Sequence, residues 1–221
     1  MYNFSKRFLD ILISISVLTI LAPLLLPIVM ILRFSAEGHV FYFQDRIGTK
    51  RINFKIIKFA TMLKDSPNLA SGSITLADDW RVTKPGKFLR KTKINELPQI
   101  INILKGDISL VGPRPLVNKT FSAYSDEVQS KIYNVKPGLT GIGSIVFRDE
   151  ESIISAVKDE DPHEFYKRVI APYKGELEMW YQNNNCFFLD LQLIFITAWV
   201  IFFPSSKIYE KWFKDLPNRN F

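Results

Sequence analysis

Apolar positions fall into one long early block, several short runs and one late block, and their spacing predicts most elements. Ile11 to Leu32 is uncharged and dominated by Ile, Leu and Val. At about 1.5 Å per helical residue, such a run reaches across a hydrocarbon core of ~30 Å. Val40-Phe41-Tyr42-Phe43 and Phe54-Lys55-Ile56-Ile57 are β-rich with Gly48-Thr49-Lys50-Arg51 between them, which predicts a hairpin over 39–62. Ser66 to Asp79 is polar and Gly/Ser-bearing and reads as a mobile loop. A short helix is expected around Pro98 to Lys105, stopped by Gly106, and a longer one from Glu164 to Tyr181. Phe187 to Pro204 is apolar apart from Asp190, Gln192 and Thr197, and fits either a second crossing or a buried core helix. There is no internal repeat or low-complexity tract, and no soluble-domain boundary is expected after about residue 35.

The early block admits three readings. Lys6-Arg7 give the basic start of a signal peptide, but no small-x-small cleavage site follows the run. A crossing is what length alone favours, yet Arg33 and Lys50-Arg51-Lys55-Lys58 follow while Lys6-Arg7 precede, so charge gives no clean orientation. Pro23 and Pro27 each remove a helix hydrogen bond, and a helix bent there would return both ends to one basic face.

Composition narrows the partners. The 221 residues carry a net charge of +7, which asks for an anionic partner, while 47% hydrophobic residues and 18 Phe tilt the choice toward membrane. No nucleic-acid-binding motif is present, so nucleic acid is not expected as a partner. Cys186 stands alone, which fits a reducing compartment, and His39 and His163 are too far apart in sequence to suggest a His-rich metal site.

The densest chemistry lies between Phe88 and Pro115. Lys84, Lys87, Arg90, Lys91 and Lys93 precede Glu96; a short apolar run leads to Gly106-Asp107, then to Pro113-Arg114-Pro115. Guanidinium forks bind phosphate oxygens bidentately, and Mg2+ takes carboxylate oxygen together with substrate phosphate, so this mix suits a pyrophosphate and a divalent metal. Pro115 holds Arg114 extended, which predicts a rigid, exposed loop that loses little entropy on binding an anion. Asp107 reads as a turn residue.

Phe88-Leu89-Arg90-Lys91-Thr92, Glu96-Leu97-Pro98-Gln99, Gly106-Asp107-Ile108-Ser109-Leu110-Val111 and Gly112-Pro113-Arg114-Pro115 together closely resemble the signature of the bacterial monotopic phosphoglycosyl transferases. The resemblance runs from Lys6-Arg7 to about Trp199. It implies an α+β, membrane-associated protein: a re-entrant membrane helix over 1–35, and a cytoplasmic catalytic domain over 36–221. That domain would be small and mostly helical, with a β-hairpin and a C-terminal interfacial helix suited to Trp199, Phe202 and Phe203. The family breaks its membrane helix at a Ser-Pro pair; here the pair is Ala22-Pro23.

The implied activity is transfer of a phosphosugar from a UDP-sugar to undecaprenyl phosphate with release of UMP. This would be the first membrane step of surface glycan synthesis, at the cytoplasmic face of the bacterial inner membrane, with Mg2+ as cofactor and with membrane lipids and a second copy of the chain (a homodimer) as candidate partners. In the family an aspartate before the glutamate is the nucleophile and the glutamate helps hold the metal. This chain has Asn95-Glu96, and an amide cannot serve as that nucleophile. The swap is compatible with a helix N-cap, where Asp and Asn are nearly equivalent. Three accounts stay open: Glu96 as nucleophile, direct attack by the polyprenol phosphate, and a binding protein without turnover. The resemblance assigns phosphate or substrate contacts to Lys58, Arg90, Arg114, Arg148 and Glu178, and the metal to Glu96. Ala60 stands where the family has an arginine, and Lys136-Pro137-Gly138-Leu139-Thr140-Gly141-Ile142-Gly143 resembles a family turn without P-loop or Rossmann spacing.

Overall fold

The computed structural model describes residues 2–35, 37–66 and 79–219; most of the expected 66–79 loop lies outside them. Helix α1 runs Tyr2–Phe34 with Pro23 and Pro27 inside it. Strands β1 (Phe41–Ile47) and β2 (Asn53–Phe59) form the expected antiparallel hairpin, in register from Phe41↔Phe59 to Ile47↔Asn53. Its turn places Lys50 (φ 54°) and Arg51 (φ 62°) in the left-handed region. Two tertiary bonds hold them there: Lys50 N–H donates to Tyr133 O (2.9 Å) and Arg51 Nη2 to Gln129 O (3.0 Å).

Helix α2 (Lys84–Lys91) starts on Thr83, whose hydroxyl accepts from the Gly86 amide, and α3 (Gln99–Lys105) ends on Gly106 at φ 88°. Strand β3 (Ser109–Val111) then pairs in parallel with β4 (Gly138–Thr140), across the short helices α4 (Asn118–Phe121) and α5 (Asp126–Lys131). After β4 come α6 (Ile142–Val146), α7 (Glu150–Ala156) and α8 (Pro162–Phe165). A π-helical turn over Tyr166–Ile170 joins α8 to α9 (Ala171–Asn184), so the expected 164–181 helix is real but locally widened and underwound. Helices α10 (Phe187–Phe202) and α11 (Ile208–Trp212) close the chain.

The main core joins α6, α9 and α10 around Ile142, Ile170, Leu177, Leu193 and Ile196, all fully buried. Helix α10 gives this core one face, Leu189, Leu193, Ile196 and Val200, at helical spacing. Its other face is also apolar but exposed, with Phe188, Phe195 and Phe202 at 68%, 49% and 78%. The core expectation for this segment holds for the first of these faces.

Helix α1 docks at both ends. At its start, Lys6 Nζ meets Asp190 Oδ2 (2.6 Å), Arg7 donates to Ile103 O and Leu104 O (2.5 and 2.8 Å), and Asp10 Oδ1 accepts from Ser109 Oγ and Leu110 N–H. At its end, Ile28 and Leu32 pack with Phe59 and Leu89 in a second, smaller core. Between these anchors, no residue from 15 to 27 is buried.

Candidate active site

The hairpin, the turn before α3, the loop after β3 and the α6–α7 junction enclose a cleft of about 1010 Å3. Lys58, Arg90, Asn95, Glu96, Arg114 and Arg148 all line it. At its centre a single carboxylate oxygen, Glu96 Oε1, accepts from Arg114 Nη2 at 2.7 Å and from Lys58 Nζ at 3.1 Å. Lys58 comes from the end of β2, Glu96 from the 3-10 turn Ile94–Glu96, and Arg114 from the segment after β3.

The Arg114 segment is rigid, as its prolines predict, but it is not exposed: Pro113, Pro115 and Leu116 are buried. Tyr133 holds it from both sides, its hydroxyl donating to Arg114 O (2.9 Å) and accepting from Leu116 N–H (2.8 Å). The glycine-rich block supplies close packing. A Cβ on Gly138 would lie 2.1 Å from Gly112 N, and one on Gly112 would lie 2.3 Å from Lys136 O. Only glycine lets these two backbones meet, and Gly138 N–H then donates to Pro113 O (2.8 Å), which fixes the approach to Arg114.

The pattern of residue types did not single out Arg46, which the fold brings into the same cleft. Its Nη1 donates to Pro115 O (2.9 Å) and its Nη2 to Gln44 Oε1 (2.6 Å). A signal existed: Tyr42, Gln44 and Arg46 alternate on one face of β1, and Tyr42 pairs with Lys58, so Arg46 and Lys58 share that face. Arg46 brings the cleft a cation that Ala60 lacks.

Burial and mutual repulsion tune these groups. Burial pulls the Lys58 ammonium down to about 8, with Arg114 and Arg46 adding to the effect and Glu96 opposing it. Burial likewise lowers Arg46 to about 10, helped by Arg114. For Glu96 burial works toward the neutral acid, but Arg114 and Lys58 overcome it and hold the carboxyl well below the ordinary range. Glu96 is thus an anion at neutral pH, locked between two cations.

Asn95 is not a helix N-cap. Lys93, at φ 60°, precedes the 3-10 turn and Pro98 precedes α3, so residue 95 falls inside the turn. The amide is 7% exposed, and its Oδ1 is buried without a hydrogen-bond partner. Around the rim, Arg90 pairs with Glu151 (2.6 Å), and Lys174 with Glu150. Glu178 stands behind the cleft, 1% exposed, with Oε2 unpartnered and the Arg114 backbone as a neighbour. Asp107 closes the turn after α3, accepting from Asn102 Nδ2 (3.0 Å). Apolar side chains also line the cleft: Phe41, Phe43, Phe59 and Met62, together with Leu32 from the end of α1.

Among the described residues no group of three or more His, Cys, Asp or Glu gathers as a metal cage. The donors do fit a magnesium ion that arrives with substrate phosphate. Mg2+ keeps several waters and needs only one or two protein oxygens, and Glu96 and Asn95 line the same cleft.

The family model described as bacterial sugar transferase matches residues 1–204. The uncharacterized sugar transferase EpsL of Bacillus subtilis (strain 168) is 35% identical over 193 residues, covering 87% of this chain and 85% of that protein. The UDP-N-acetylgalactosamine-undecaprenyl-phosphate N-acetylgalactosaminephosphotransferase of Aeromonas hydrophila is 32% identical over 89% of this chain and 43% of its own length. The undecaprenyl-phosphate galactose phosphotransferase of Salmonella typhimurium (strain LT2) is also 32% identical, over 90% of this chain and 40% of its own. The chain thus spans less than half the length of these last two relatives.

Proposed function

The chain belongs to the bacterial sugar transferases, and from that premise we propose that it moves a phosphosugar from a UDP-sugar to undecaprenyl phosphate, releasing UMP. The observation that carries this reading is the placing of Lys58, Arg46 and Arg114 around one carboxylate, in a cleft also lined by apolar side chains that include Leu32 at the end of α1. Two ligands meet there, one all phosphate and sugar, the other a phosphate on a hydrocarbon chain. Arg114 and Lys58 neutralise the pyrophosphate, and Leu32, Phe41 and Phe43 accompany the polyprenol toward the bilayer.

Asn95 removes the family nucleophile, and Glu96 is a poor substitute, because Arg114 and Lys58 occupy its Oε1 and hold it strongly ionised. We therefore assign direct attack. An oxygen of the polyprenol phosphate bonds to the β-phosphorus, the bond from that phosphorus to the bridging oxygen breaks, and UMP leaves with the electron pair. Glu96 spaces the cations and, with Asn95, would hold Mg2+. The ion would supply charge neutralisation on the pyrophosphate.

Residues 36–221 form the catalytic domain in this reading and 1–35 a re-entrant membrane helix. Polar anchors at Lys6, Arg7 and Asp10 and apolar anchors at Ile28 and Leu32 grip the same domain, which favours both helix ends lying on one side, the cytoplasmic one. The amide of Asn95, in the place of the family nucleophile, supports a second reading, in which the chain binds the nucleotide sugar without turnover. UMP release from a panel of UDP-sugars, with Mg2+ and undecaprenyl phosphate, separates the two. Saturable binding with no release selects the second.

A further inference from the structure

Lys58 and Glu96 arrive at the cleft on separate elements, β2 and the turn before α3, and one buried side chain ties those elements together. Asn102, on α3, is fully buried. Its Oδ1 accepts from Ile57 N–H at 3.0 Å, and its Nδ2 donates to Lys55 O at 2.8 Å and to Asp107 Oδ2 at 3.0 Å. The orientation of the amide is unambiguous, because a carbonyl and a carboxylate can only accept and an amide N–H can only donate. The side chain therefore imitates a neighbouring strand: it satisfies the outward-facing donor and acceptor of β2, one residue before Lys58. The Asn102 carbonyl accepts from both Gly106 and Asp107 N–H (3.0 Å each), so the tether is seated on the closed end of α3. That end is in turn held by Arg7 of α1, through Ile103 O and Leu104 O.

We propose that Asn102 is a positioning residue that sets the spacing of β2 from α3 and thereby holds the Lys58 ammonium against the Glu96 carboxylate. It touches no substrate and acts through the two residues it brings together. The proposal rests on the transferase reading only for what the ion pair does.

The test reads the ion pair directly. A water-soluble carbodiimide activates the Glu96 carboxyl, the Lys58 amine displaces it to form an amide, and the carbodiimide leaves as its urea with the carboxyl oxygen. Mass spectrometry of detergent-solubilised protein that elutes as folded should find the 58–96 linkage in the native chain. Asn102→Asp keeps the acceptor for Ile57 but removes the donor to Lys55 O and sets two carboxylates together. The linkage should fall about tenfold or more, since small displacements of reacting groups cost that much. Asn102→Asp combined with Asp107→Asn restores the 102–107 bond with reversed polarity and leaves Lys55 O without a donor, so its yield should stay low. Native yield in the single variant overturns the proposal. Full recovery in the double variant also overturns it, reducing Asn102 to a turn-closing residue. UMP release should fall in step with the linkage. A native chain that forms the linkage but releases no UMP would refute the transferase reading and leave the role of Asn102 decided by the cross-link alone.

Discussion

Arg114 separates a half-buried glutamate from a fully buried one, and the two behave in opposite ways. On its side-chain face, Glu96 is gripped by two cations and held as an anion. On its backbone face, burial pushes Glu178 up to about 7, and the cation beside it, Lys174, is already paired with Glu150. Residue type is the same, but Glu178 is the more deeply buried and its partners differ as well. A carboxylate that has cations to itself stays charged in a buried site; one whose neighbouring cation is already paired keeps its proton. The cleft side of Arg114 is built for anion chemistry and the rear side for packing.

The largest effect expected from this contrast is at Glu96. Glu96→Gln should abolish UMP release, because it removes the charge that spaces Lys58 and Arg114 and the carboxylate offered to Mg2+. Activity equal to the native chain would remove Glu96 from the site. Arg114→Ala should cost one to two decades in turnover, as a charged hydrogen bond to phosphate contributes roughly 1.5–3 kcal/mol. The loss should be seen in steady-state UMP release.

Glu178 should affect stability instead, in a pH window that Glu96 does not share. The unfolded side chain titrates near the ordinary 4.5, while the folded one keeps its proton up to about 7. Between those values the folded state binds more protons, so stability falls as pH rises through the window, by up to roughly 3 kcal/mol. Glu178→Gln should flatten that decline in thermal melts from pH 5 to 8. An unchanged slope would show that Glu178 is ionised throughout.

The smallest effect concerns α1, whose two ends grip one domain. In a Cys186→Ser background, cysteines placed at Asn3 and Ser130 should both be protected from a membrane-impermeant reagent added outside intact cells. Labelling at one position alone would contradict the re-entrant topology.

Much of this was legible in the chain. The hairpin followed from β-rich runs around Gly48, the end of α3 from Gly106, and the cation-rich site from the run between Phe88 and Pro115. What escaped has physical reasons. Strands β3 and β4 are three residues each and pair across 29 positions, so no local pattern announces them. Arg46 looks like any strand cation until the register sets it on the same face of the hairpin as Lys58. Asn95 looks like a cap because Pro98 is close, but Lys93 at φ 60° starts a separate turn and carries the amide inside. Glu178 reads as a site carboxylate until packing against Gly143 places it behind Arg114.

The central claim is phosphosugar transfer by direct attack of the acceptor, and the most direct measurement is UMP released by the native chain with Mg2+ and UDP-sugars, with and without undecaprenyl phosphate. The account predicts release with at least one UDP-sugar only when the acceptor is present, and no phosphosugar on residue 96 by mass spectrometry. A stoichiometric burst of UMP without acceptor, with the adduct mapped to Glu96, would contradict direct attack. No release with any UDP-sugar would contradict the transferase itself.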